Sequence, residues 1–126
     1  MLTAVLGAAL AVGLVLGFRH RTAHGELRLY GFALLIAAAV FVGFAVFRGS
    51  LEDIALEGVG FSLFGLFAMF GWKGQARWLA IGWLVHVGWD LVQRGNPGHV
   101  PPWYAWLCAG FDPVIAVRAF MLRNTR

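Results

Sequence analysis

The stretch LYGFALLIAAAVFVGFAVF, Leu29–Phe47, runs for nineteen residues without one ionisable side chain. A helix needs about 20 mostly apolar residues to cross roughly 30 Å of hydrocarbon, and this stretch meets that length. The pattern repeats on both sides of it. Leu2–Phe18 carries no ionisable group, Ile54–Trp72 only Glu57, Trp78–Gln93 His86 and Asp90, and Trp103–Leu122 Asp112 and Arg118. The sequence therefore predicts an all-α, polytopic transmembrane helical bundle of five short-looped spans, approximately 2–18, 29–47, 54–72, 78–93 and 103–122, making one transmembrane domain over 1–126. The span 78–93 is the weakest, because two of its sixteen residues are ionisable. Four spans with that helix half-inserted is the alternative.

Composition points the same way. Of 126 residues, 60% are hydrophobic and 13% charged, whereas a soluble domain is about 45–50% apolar and about 25% charged. A chain this short cannot bury so much apolar surface in a water-facing core. The low charge excludes a disordered chain, and Cys108 as the single cysteine excludes a disulfide scaffold. The length leaves no room for a separate soluble catalytic domain. The apolar run of the first span has no basic residue before it, which predicts a retained helix and not a cleaved signal peptide.

The formal charge of +4 would suggest nucleic acid only if the basic residues shared a folded face. They are instead distributed by loop. The polar connection Arg19–Arg28, the turn Lys73–Arg77 and the C-terminal flank carry Arg19, Arg21, Arg28, Lys73, Arg77, Arg118, Arg123 and Arg126, against Arg48 and Arg94 on the other side. Short loops reverse the chain at each connection, so the positive-inside rule predicts an external N-terminus and a cytoplasmic C-terminus. No nucleic-acid partner is expected. The site of action is a bacterial cytoplasmic (inner) membrane, with membrane lipids and a small apolar or lipid-like ligand as partners and a homo-oligomer as an option.

Three segments, GFRHRTAHGELRLY (Gly17–Tyr30), GWLVHVGWD (Gly82–Asp90) and PPWYAWLCAGFD (Pro101–Asp112), carry a resemblance. Together they make the whole chain resemble a family of small, functionally uncharacterised bacterial integral membrane proteins. The resemblance implies the architecture and brings no activity, cofactor or catalytic residue with it.

Function must then be read from polar groups inside the spans. An ionisable side chain near mid-bilayer costs at least about 2.5–3.5 kcal/mol, so it faces the bundle interior or water and marks a candidate site. Four such groups occur: Glu57, His86, Asp90 and Asp112. Helical rise places all of them in the outer half or near the midplane, with Asp112 about 14 Å from Trp103. His86 and Asp90 are four apart and share a face; so do Asp53 and Glu57, and so do Tyr104, Cys108 and Asp112. The expected site is an outward-facing polar pocket in which Glu57, His86, Asp90 and Asp112 are the acid/base candidates. Trp83, Trp89, Tyr104, Cys108 and His99 are its candidate ligand-binding residues. Pro113 adds a helix break beside Asp112, which frees the carbonyl of Ala109.

Three classes of function fit these residues. In the first, the pocket binds a lipid-like molecule and transforms it by acid/base chemistry, an arrangement similar in kind to the paired His and carboxylate of emopamil-binding sterol isomerases. In the second, an imidazole and carboxylates hold Mn, Fe or Zn, although no HxxH, HExxH or Glu-x-x-His spacing occurs and no metal ligands are assigned. In the third, the acids mark a proton route, but the cytoplasmic half shows no ionisable residue before Arg118. A purely structural small membrane protein is the remaining option. Gly13 with Gly17, and Ala39 with Gly43, are expected at close helix contacts, and Phe61, Phe64, Phe67 and Phe70 form a packing or lipid-facing stripe. His20 and His24 lie among arginines on a solvated face.

Overall fold

Short polar side chains fix where the helices begin. Thr22 Oγ1 accepts a hydrogen bond from the Gly25 amide at 3.1 Å. Ser50 and Asp53 cap reciprocally: Ser50 Oγ accepts from the Asp53 amide at 3.2 Å, and Asp53 Oδ2 accepts from the Ser50 amide at 2.9 Å. Each cap satisfies a first-turn amide that has no partner within the helix and contributes about 1 kcal/mol. Asp53, which the sequence puts on one face with Glu57, spends its carboxylate on this cap.

The computed structural model describes residues 2–95 and 100–122, the side chains of residues 93–95 excepted. It contains α1 (Leu2–Phe18), α2 (Ala23–Arg48), α3 (Leu51–Trp72), α4 (Ala76–Gly95) and α5 (Pro102–Met121), with no strand among the described residues. The all-α fold and its five helices are as expected. Three of them, α2, α3 and α5, are long and apolar enough to cross a membrane. The apolar α1 has 17 residues, and α4, which carries Arg77 and Asp90, falls outside that group. One boundary is corrected. The segment Ala23–Arg28, read as part of a polar connection, is the first turn and a half of α2, because Glu26 finds partners in the bundle.

Facing residues give the register. Leu27 lies against Gly71, Gly31 against Ala68 and Leu35 against Gly65, so α2 and α3 run antiparallel. Leu79 against Gly71, Phe67 against Gly82 and Trp89 against Gly60 do the same for α3 and α4. The α3–α4 turn closes through Gly74 at φ 81°, a left-handed conformation that glycine adopts freely. The first helix behaves differently. It packs on α5, where a Cβ on Gly7 would run into the backbone of Leu107 and one on Gly110 into the backbone of Ala4. Gly13, Gly17 and Gly43 have no neighbour at contact distance, which corrects the expectation that they mark the close contacts. Of the phenylalanine stripe only Phe64 is fully buried, because a spacing of three drifts off one helix face.

The surface and the core divide in an unusual way. Leu2, Ile36, Phe47, Val59, Val92 and Met121 are exposed, while Glu26, Glu57, His86, Asp90 and Asp112 are at most 1% exposed. Charged residues are almost never fully buried in water-soluble proteins unless paired.

Candidate functional site

The buried face of α4 carries Leu79, Trp83, His86 and Asp90, and that of α5 carries Tyr104, Cys108, Asp112, Ile115 and Ala119. Steps of three and four keep each set on one side of its helix, and the two faces meet. His86 and Asp112 each stand ten residues from the start of their helix, about 15 Å from either end. The contact is therefore at mid-height.

Here the imidazole of His86 meets two carboxylates. Its Nδ1 lies 2.6 Å from Asp112 Oδ2 and 3.4 Å from Asp90 Oδ2, and all three side chains are fully buried. One ring nitrogen donates one hydrogen bond, and the shorter distance assigns it to Asp112. Among the described residues no hydrogen-bond partner reaches His86 Nε2, Asp90 Oδ1 or Oδ2, Asp112 Oδ1 or Trp83 Nε1. So many unsatisfied polar atoms in one place are costly in a protein core and call for an explanation. Aromatic rings surround the imidazole. Phe64 stands edge-on at 4.7 Å between centroids, Phe41 at 5.4 Å and Trp83 at 6.2 Å.

An apolar groove of about 290 Å³ reaches this cluster from the side. Leu10 of α1, Ile36 and Ala37 of α2, and Tyr104, Cys108 and Asp112 of α5 are among the residues that line it. Leu10 and Ile36 are exposed on the outer flank of the bundle, so the groove opens laterally at mid-height. Within this lining Tyr104 is fixed, its hydroxyl donating to the Ala37 carbonyl at 3.3 Å and its ring packing edge-on against Phe41.

The expected residues thus separate. His86, Asp90 and Asp112 come together with their ligand atoms within 4.8 Å, Trp83 stands against them, and Tyr104 and Cys108 line the groove. Glu57 stands apart from the trio: Trp89 Nε1 donates to its Oε1 at 3.0 Å, with the Trp89 ring stacked edge-on against Phe64. His99 lies outside the described residues. Glu26 was missed by the sequence reading. Its carboxylate accepts from Arg118 Nε at 2.8 Å, from Arg118 Nη2 at 3.0 Å and from the Tyr30 hydroxyl. The spacing of Glu26 and Tyr30, four apart on one face, was the available signal.

A family model described as a family of unknown function, DUF6010, matches residues 1–125. The chain belongs to the DUF6010 family. This agrees with the expected resemblance to an uncharacterised family, and the match covers the polar cluster, the groove and the Glu26–Arg118 pair alike. No curated protein and no solved structure matches the chain.

Proposed function

We propose that the chain is a multi-pass integral membrane protein of the bacterial inner membrane, N-terminus outside, forming one domain. In this reading it binds a lipid-like molecule in the groove between α1, α2 and α5. The observation that carries the reading is Asp112, which belongs both to the groove lining and to the His86 contact. A ligand entering sideways from the acyl region keeps its apolar part against Leu10, Ile36, Leu107 and Phe111. It brings a hydroxyl or amine to Asp112 Oδ1, which has no donor among the described residues. Pockets of this kind, mostly apolar with a few placed polar groups, are typical small-molecule sites. Apolar residues on the outside and ionisable ones inside support a membrane setting.

The chemistry available is proton transfer. Asp112 is part of the groove lining, His86 Nδ1 shares a hydrogen bond with its carboxylate, and Asp90 stands 3.4 Å from the same nitrogen as a second carboxyl. Such a pair moves a proton onto or off a bound ligand when it lies within hydrogen-bond reach. Asp112→Asn keeps the side-chain shape, so folded protein is expected to elute unchanged while losing the lipid-like molecule that native mass spectrometry detects on the wild type. Adducts identical in both proteins contradict the reading.

A further inference from the structure

The trio leaves an imbalance that a ligand in the groove does not correct. Four carboxylate oxygens, two each on Asp90 and Asp112, face one imidazole donor, and three of the four have no hydrogen-bond partner among the described residues. Both oxygens of Asp90 are in that state although its side chain is fully buried. A cation satisfies several such lone pairs at once. We propose that His86, Asp90 and Asp112 hold a divalent first-row transition-metal ion; this rests on the reading that the same centre is the working part of the protein.

Three observations carry it. The donor set is one imidazole nitrogen, Nδ1 in the tautomer that carries the ring proton on Nε2, and two carboxylates, borderline and hard ligands of the kind that suit Zn²⁺, Mn²⁺ or Fe²⁺. The spacing is near that of a ligand set: Nδ1 lies 2.6 Å from one carboxylate oxygen and 3.4 Å from the other, and the three ligand atoms fall within 4.8 Å of one another. Ligands about 2.0–2.2 Å from a common tetrahedral ion stand about 3.3–3.6 Å apart, so binding opens the His86–Asp112 contact and draws the set together by less than about 1.5 Å. Charge also balances, since a dication and two carboxylates sum to zero, which suits a site at mid-bilayer depth where a net charge is costly. The ligands come from two helices only, α4 and α5, so one side of the ion stays open for water or a groove ligand. Glu57 is not a ligand, being held at Trp89.

The test uses the full chain in detergent, stripped with a chelator and titrated with Co²⁺. The expected result is one Co²⁺ per chain, with a visible ligand-field spectrum that Zn²⁺ displaces. Asp90→Asn and His86→Gln each lose stoichiometric binding while keeping helical circular dichroism; Glu57→Gln retains it. Wild-type protein that takes up no stoichiometric Co²⁺ overturns the proposal whatever the variants do. So does uptake that survives in both ligand variants, and so does a thiolate charge-transfer band, which would assign the ion to Cys108. Absence of Co²⁺ together with an Asp112-dependent lipid adduct would overturn the metal and leave the groove reading standing. Stoichiometric Co²⁺ with no adduct would do the reverse.

Discussion

At the residue scale, the two buried carboxylates outside the trio, Glu26 and Glu57, are each tied to a donor on another helix. Arg118 grips Glu26 with two nitrogens, and hydrogen bonds to charged groups contribute about 1.5–3 kcal/mol. Arg118→Gln is expected to lower stability by about that amount in detergent thermal unfolding. Combining it with Glu26→Gln should recover part of the loss, because the stranded charge is then gone. Trp89→Phe keeps the ring beside Phe64 and Gly60 but removes the donor to Glu57, with an expected cost of about 1–3 kcal/mol. Pairing it with Glu57→Gln in a double-mutant cycle measures the coupling. His86, Asp90 and Asp112 were legible in the sequence because an ionisable group in an apolar run is conspicuous whatever it touches. Glu26 was not, since it sits in a charged segment and its partner Arg118 is 92 residues away. Only the packing of α5 on the first turns of α2 joins them.

At the element scale, the close contact of α1 with α5 rests on backbone meeting backbone at Gly7 and Gly110. A larger side chain there has nothing flexible to displace. Gly110→Leu is expected to loosen α1 from the bundle, at a cost of the order of 1–3 kcal/mol for forced overpacking. Gly13→Leu, with open space around its α-carbon, should leave unfolding unchanged. Equal effects from the two substitutions would refute this packing. Helix existence and number were readable from hydropathy, since apolar runs and short polar breaks are local features. The partner of α1 was not. A GxxxG pattern says that a helix can approach something closely, but which glycine is used depends on tertiary placement. The start of α2 escaped for a similar reason: burial of Glu26 extends the helix into residues that composition alone assigns to a loop.

At the scale of the whole molecule, the polar interior apart from the Glu57–Trp89 pair forms two layers. His86, Asp90 and Asp112 stand at mid-height, and Glu26, Tyr30 and Arg118 stand near the end of the bundle where α2 begins. On α5, Ile115 and Ala116, both fully buried, come between Asp112 and Arg118 in helix order. That apolar layer favours a binding site over a proton route through the bundle. The proposed orientation predicts that a reporter fused to the C-terminus is active in the cytoplasm and inactive outside it; the opposite pattern would invert the assignment of both layers.

The lateral groove is the feature on which the account turns, and site-specific photo-crosslinking tests it most directly. A photoreactive residue replaces Ile36 at the groove mouth or, as a reference, Val59 on the exposed face of α3. The account predicts that position 36 captures a distinct lipid-like species and that adding Asp112→Asn abolishes the capture, while position 59 labels only bulk phospholipid. The same bulk lipids at both positions, unaffected by Asp112→Asn, would contradict it.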